Sequence, residues 1–286
     1  VFGGVLFIAA LALSHMALAF SGAVFVSAPA AAYALGKNRK QKEITLSAEE
    51  EDIIDFTAKG AWNYFKEFCT EQTNYLPPDN FQEEPYKGAV MRTSPTNIGM
   101  MLCGCVAAEI LGYINVKDAA KMIHGALSSL AKMEKFNGHP YNWYDIVTLK
   151  PLRPLFVSTA DNGNLACCLV AVRQAIEGYK PCVTDPDVIV MLNESLNIIR
   201  SVLRDMDFSM LYDSKKDLFS VGYDVQEQRL SEYAYDMFAS EARQASFYAL
   251  IAGQAPIKHW RRLSRIVVKR NGRYILKSWS GSMFEY

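Results

Sequence analysis

Downstream of residue 47, apolar side chains recur at helical spacing in one block after another. Ile53, Ile54, Phe56, Ala61, Trp62, Phe65 and Phe68 predict a helix over residues 48–69. Ser47-Ala-Glu-Glu50 in front of it is a capping box, in which hydroxyl and carboxylate satisfy each other's backbone N–H groups. Residues 96–111 form an apolar, Gly/Ala-rich helix, and residues 164–177 another apolar stretch. Residues 116–135 instead place Met122, Ile123, Leu127, Leu130 and Met133 on one face. Residues 185–206 do the same with Val188, Leu192, Leu196, Ile199 and Val202, behind a first-turn Pro186. Helices over 235–252 and 257–267 complete the set. Strands at 209–212 and 218–223, joined by Asp213-Ser-Lys-Lys-Asp217, predict a hairpin. Long polar-aromatic loops lie at 74–92, 137–159 and 221–231, and loops of that length in a compact domain usually carry function. Helices alternating with such loops predict an all-α fold, an α/α toroid whose loops line a cleft at one end.

The first 36 residues break this pattern. They contain no Asp, Glu, Lys or Arg. A membrane helix needs about 20 such residues, so residues 1–36 are expected to hold one transmembrane helix and most of a second. Ser27-Ala-Pro-Ala-Ala-Ala resembles a signal-peptide cleavage site, but there is no starting Met and no basic n-region. Lys37-Asn-Arg-Lys-Gln-Lys42 follows directly, and by the positive-inside rule holds this flank in the cytoplasm. The expected division is therefore a membrane segment over 1–36, a basic cytoplasmic linker over 37–46 and a domain over 47–286. The chain opens on Val1 and closes on Tyr286 inside a motif-like run, so a piece of a longer protein is expected.

Lys+Arg and Asp+Glu number 30 each, which argues against a nucleic-acid partner. The cysteines (Cys69, Cys103, Cys105, Cys167, Cys168 and Cys182) form no C-x-x-C set, and no His-x-x-x-His pair accompanies them. They read as buried, reduced thiols, with no metal site and no nucleotide loop.

Candidate chemistry lies in the loops. Sugar rings offer hydroxyls to Asp, Asn, Gln, Arg and His, and apolar faces to Trp and Tyr. Six segments mix these types: Asp79, Asn80 and Gln82; Arg92, Ser94 and Asn97; His139, Tyr141, Asn142, Trp143 and Tyr144; Asp161 and Asn164; Tyr235, Asp236 and Arg243; Trp279, Ser280 and Glu285. Each has a plainer role available: Asp161, Asn162 and Asn164 as helix caps, Tyr141, Trp143 and Tyr144 as packing rings, Arg92 as the partner of a structural acid. Glycosidic chemistry needs two carboxyls flanking the bond. Candidates are Glu241, Glu285, Asp236, Asp161 and Asp145. Glu241, expected within a mostly apolar helix, is the one that burial would keep protonated for general-acid work. Arg243, two residues on, would point elsewhere on that helix. The pattern alone does not select the pair.

Several of these motifs, in unbroken order over residues 45–286, resemble the central, glycoamylase-like domain of cyclic β-1,2-glucan synthases. They are Arg92-Thr-Ser-Pro-Thr-Asn-Ile-Gly99, Gly138-His-Pro-Tyr-Asn-Trp-Tyr-Asp145, Val157-Ser-Thr-Ala-Asp-Asn-Gly-Asn-Leu165, Ser240-Glu-Ala-Arg243 and residues 278–286. Ala160 and Asn162 stand where that family usually has Val and Ser. The resemblance implies an (α/α)6 barrel, truncated here, and a retaining transglycosylase that closes linear β-1,2-glucan into a ring at the bacterial inner membrane. It implies Glu241 as acid/base, with the nucleophilic Glu in a Trp-Gly-Ile-Ser-Glu-Ser-type motif beyond Tyr286, so that the fragment alone would be inactive. UDP-glucose would be used by a separate upstream module of the same polypeptide, with no cofactor in this region.

Overall fold

The computed structural model describes Val5, residues 16–36 and residues 45–286. The chain divides into two compact units, residues 1–53 and 54–286. In the first unit, α1 (Met16–Gly36) is an uncharged 21-residue helix with Pro29 inside it. Among the described residues no helix is long and apolar enough to cross a membrane. Most of residues 1–15, and the basic run 37–42, lie outside those described. α2 (Ala48–Phe68) begins on the predicted capping box. Ser47 N–H donates to Glu50 Oε2 at 2.8 Å, and Glu50 N–H to Ser47 Oγ at 3.3 Å.

In the second unit, α3 (Pro95–Ile110), α4 (Val116–Lys132), α5 (Thr159–Tyr179), α6 (Pro186–Asp205), α7 (Arg243–Ile251) and α8 (Ile257–Arg262) carry the core. They pack in alternation: α3 against α5, α5 against α7, and α4 against α6. Sequence explains the two layers. α4 and α6 are apolar on one face, which suits an outer position. α3 and α5 are apolar on several faces and are covered by neighbours on more than one side; Gly99 and Gly163 allow closest approach. This is the helix-on-helix layering of an α/α barrel; closure into a ring of six pairs is not seen among the described residues.

Short strands decorate one set of loops. β1 (Phe81–Gln82) pairs with β2 (Gly88–Ala89), β3 (Arg92–Thr93) with β6 (Tyr144–Asp145), and β4 (Lys135–Phe136) with β5 (His139–Pro140). β7 (Phe156–Ser158), β10 (Gly222–Asp224) and β11 (Arg229–Leu230) form a three-stranded sheet in the order β11-β10-β7. The predicted hairpin is present as β8 (Tyr212–Asp213) and β9 (Leu218–Phe219), although Phe208–Leu211 is a 3-10 turn rather than strand. A second hairpin, β12 (Val267–Arg270) with β13 (Arg273–Leu276), replaces the end of the helix expected to reach 267. Its turn is Asn271-Gly272, both at positive φ, the strongest short hairpin signal a sequence offers. α5 starts five residues before the expected 164, because the Ser158 hydroxyl accepts the Asp161 N–H and caps it. The cysteines are all free thiols. Cys69 and Cys105 are buried as expected, but Cys182 is exposed and the other three are half-buried.

Candidate active site

The largest departure from the sequence reading falls on Glu241. The helix expected over 235–252 forms only from Arg243. Residues 235–240 are extended, because their backbone is paired elsewhere. Phe238 N–H donates to Ser264 O and Trp279 N–H to Ala239 O, both at 2.9 Å, and Ser264 N–H donates to Asp236 O at 2.8 Å. Glu241 therefore sits on the turn entering α7, half-buried, rather than inside a helix. The same pairing brings the segment around Trp279 alongside residues 235–240, and the Tyr235 and Trp279 rings lie 5.0 Å apart. Tyr235 is buried, while Trp279 is 40 % exposed and free to face a ligand.

Close packing of α5 against α7 supplies the opposite wall. Asp161 opens α5, and its carboxylate is held by two side chains, Thr96 and Asn142, with Asn164 behind the first. Thr96 donates its hydroxyl to Oδ1 at 2.7 Å, and Asn164 Nδ2 in turn donates to Thr96 Oγ1 at 3.1 Å. The Asn142 amide, oriented by its neighbours, donates to Asp161 Oδ2 at 3.0 Å and accepts from Trp143 Nε1 at 3.0 Å. One face of Trp143 is covered by the Arg92 guanidinium, 4.0 Å from the ring centre. Arg92 Nη2 reaches Asp79 Oδ2 at 3.0 Å, which also accepts from Asn80 Nδ2 at 3.2 Å; Asp79 Oδ1 accepts from Asn97 Nδ2 at 3.4 Å. Four of the six segments thus join in one continuous polar-aromatic network. Burial pushes the Glu241 carboxyl above the ordinary carboxylate range, and the negative charges of Asp161 and Glu285 push it further the same way. Burial raises the Tyr235 hydroxyl first; Glu241, Asp161 and Glu285 add to that shift, so one electrostatic neighbourhood holds all four groups.

Other expected site residues do different work. Glu285 is fully buried. Its carboxylate accepts the N–H groups of Ser280, Gly281 and Ser282, so it organises the loop carrying Trp279. Burial alone would raise its carboxyl, but these bonds and the Ser278 hydroxyl outweigh it and hold the group low. Ser280 is exposed and lends its N–H to that anchor. Asp145 ties its own turn by accepting from Val147 and Thr148. Ser94 caps α3 by accepting the Asn97 N–H. His139 and Tyr144 are fully buried and Tyr141 nearly so. His139 stands edge-on to Phe208, and Tyr144 OH donates to the Glu134 carbonyl. These three are packing groups, so their placement in the sugar-binding set is corrected. Asn164 is buried behind Thr96 and acts on the site only through it. Gln82 lies in β1 and Asp236 is exposed. Arg243 donates to the Tyr286 carbonyl at 3.1 Å, securing the chain's last turn. Thr96 is the site residue that sequence reasoning passed over. Its hydroxyl lies inside the Arg92–Asn97 motif, but nothing in the spacing distinguishes it from the cap next door.

Residues 56–183 match the family described as "Protein of unknown function (DUF3131)". Cyclic β-(1,2)-glucan synthase NdvB of Rhizobium meliloti is 27 % identical in an alignment that covers 96 % of this chain and 14 % of NdvB. The chain therefore spans about one-seventh of that relative. Among solved structures, an endo-β-1,2-glucanase from Chitinophaga pinensis, in complex with sophorotriose and glucose, superposes with a TM-score of 0.67. It shares 12 % identity, over 83 % of this chain and 57 % of that one. A β-1,2-glucanase from Parabacteroides distasonis gives 0.62 at 14 % identity, over 77 % and 30 %. The solved structures bear out the helical fold, and the synthase bears out the resemblance carried by the motifs: along almost all of its length, this chain is similar to a cyclic β-1,2-glucan synthase.

Proposed function

We propose that this chain is the carbohydrate-active part of an enzyme acting on β-1,2-glucan, with Glu241 as the general acid that protonates the departing glycosidic oxygen. The observation that carries the reading is the position of Glu241. It is a half-buried carboxyl raised above the ordinary range by burial and then by the charges of Asp161 and Glu285, in one neighbourhood with Tyr235, whose ring meets Trp279, and with the Asp161–Asn142–Trp143–Arg92 network. A carboxyl raised in this direction keeps its proton to higher pH than a free Glu and can deliver it as the bond breaks. Asp161, gripped on both oxygens, orients sugar hydroxyls and supports the charge that develops on the ring. Trp279 and Trp143 supply the apolar surfaces on which pyranose faces stack.

The finer reading is retaining transglycosylation that closes the glucan into a ring, in line with the likeness to the synthase. Hydrolysis is the second reading, favoured by the glucanase names of the structural neighbours. Retention requires a second carboxyl acting as nucleophile; the Trp-Gly-Ile-Ser-Glu-Ser-type motif that would supply it is not among these 286 residues. The uncharged residues 1–36, followed by basic residues 37–42, would tether the domain to the inner face of a bacterial membrane.

Incubation of linear β-1,2-glucan with a longer polypeptide that carries these residues together with the second carboxyl separates the readings. Cyclic products without new reducing ends establish transfer. New reducing ends establish hydrolysis. Binding without any bond cleavage would leave a glycan-binding module and overturn the enzymatic assignment.

A further inference from the structure

One polar-aromatic cavity is not used by the Glu241 cluster. It measures about 340 Å3, and its walls include Phe156, Asp224, Arg229, Ser231, Glu232 and Tyr233. That volume falls within the range of about 300–1,000 Å3 common to small-molecule sites. Tyr233 is 75 % exposed at its edge. Arg229 and Glu232 pair at 3.9 Å, and Asp224 Oδ1 is fixed by the N–H groups of Gln226 and Glu227 at 2.9 and 3.0 Å. An open aromatic face beside held charged groups is the mixture a sugar ring needs.

Backbone pairing connects this cavity to the site already described. Residues 231–235 run alongside 219–222: Ser231 N–H donates to Gly222 O, Val221 N–H to Tyr233 O and Tyr235 N–H to Phe219 O, each at 2.9 Å. On the other edge β10 pairs with β7, which leads directly into the first turn of α5 and Asp161. Tyr233 and Tyr235 are two residues apart on this extended segment, so their side chains leave on the same side, roughly 6–7 Å apart along the strand. Tyr235 packs against Trp279, the rings inclined at 53°, at the Glu241 end; Tyr233 stands one step further out.

Resting on the reading of Glu241 as the acid of a β-1,2-glucan-active site, we infer that Tyr233 and its cavity form an outlying subsite that holds a glucose unit of the same chain away from the bond being broken. Its role is to favour long glucan over short. Sugars that reach only the Glu241 cluster do not touch it.

Binding of β-1,2-linked oligosaccharides of increasing length to the unaltered protein, Tyr233→Ala and Tyr233→Phe tests this. Tyr233→Ala is expected to weaken binding of the long oligosaccharides roughly tenfold, the size of about 1.4 kcal/mol of lost stacking. The disaccharide sophorose should bind as before, and Tyr233→Phe, which keeps the ring, should bind all lengths normally. Equal weakening at every length, or none at any length, overturns the subsite. Glu241→Gln is assayed for turnover in parallel, in a longer polypeptide that also carries the second carboxyl. Loss of turnover with no length effect of Tyr233→Ala removes the subsite and leaves the acid assignment standing. A length effect with full turnover in Glu241→Gln removes the acid assignment instead. Failure of the unaltered protein to bind any of the series overturns both.

Discussion

In a polypeptide that carries these residues together with the second carboxyl, Glu241→Gln is expected to lower turnover on β-1,2-glucan by about 10²- to 10⁴-fold, the usual worth of a positioned general acid, while leaving glucan binding nearly unchanged. The amide keeps the size and hydrogen-bonding capacity of the acid and loses only the transferable proton. The loss should shrink sharply for a substrate whose leaving group needs no protonation, such as a dinitrophenyl glycoside of sophorose. The pH profile carries the same signature. Burial, Asp161 and Glu285 raise the folded-state Glu241 carboxyl above an ordinary Glu. The groups around it are Asp161 on α5, Glu285 in the last turn and Tyr235 on the extended segment, whose neutral phenol adds no charge near neutrality. The protonated, active form therefore persists to higher pH than for a free Glu, and activity falls as pH rises through the raised value. Stability follows the same sign: the folded state holds this proton more tightly, so the contribution is present below the unfolded value and lost as pH climbs through the folded one. The variant should lack the alkaline limb. A profile unchanged in the variant would assign the limb, and the acid role, to another group.

Gly163→Ala is the substitution with the largest expected effect on the scaffold. A Cβ at this position would lie 2.4 Å from Ala245 Cβ and 2.5 Å from its N and Cα. Backbone cannot turn aside as a flexible side chain can, so α5 and α7 must separate. Overpacking of this kind costs about 1–3 kcal/mol, or a fall of roughly 2–12 °C in Tm for a domain of this size. Gly178, on the same helix, has nothing within 4 Å of its own virtual Cβ. Gly178→Ala should then be neutral or stabilising, by up to about 1 kcal/mol. Thermal unfolding of the two variants side by side checks the argument. Because α7 begins two residues after Glu241 and α5 carries Asp161, Gly163→Ala should also depress turnover in whatever fraction remains folded. A pair of equal melting temperatures would mean that the α5–α7 contact is looser than its geometry indicates.

Helix positions were largely legible in the sequence because burial imposes a period. The contrast between one-faced α4 and α6 and the more evenly apolar α3 and α5 matches the packing, in which α3 and α5 are covered on more than one side. The site was legible as segments but not as individual roles. His139, Tyr141 and Tyr144 belong to the same polar and aromatic classes as Asn142 and Trp143, yet the former are buried in the core. Alternation across a short strand and turn separates them, and a list of residue types does not record it. The misread helix over 235–242 has a comparable cause. Apolar spacing there suits a helix as well as an extended segment, and the decision is made by Ser264 and Trp279, whose backbone groups come from more than twenty residues away. Glu285 illustrates a third limit. A Glu in a Ser/Gly-rich run suggests chemistry, but three nearby N–H groups claim its carboxylate for the loop. The hairpin at Asn271-Gly272 was missed although its turn signal was in plain view, because the preceding helical spacing was carried too far.

The central claim is that the side chain at position 241 meets the glycosidic oxygen of a glucan held against Trp279 and the Asp161 network. A crystal structure of Glu241→Gln with a bound linear β-1,2-glucan oligosaccharide tests this most directly. The account predicts a glycosidic oxygen within about 2.6–3.2 Å of the amide at 241, with sugar rings stacked on Trp279 and hydroxyls on Asp161. An oligosaccharide bound on another surface, with the side chain at 241 touching protein alone, would contradict it.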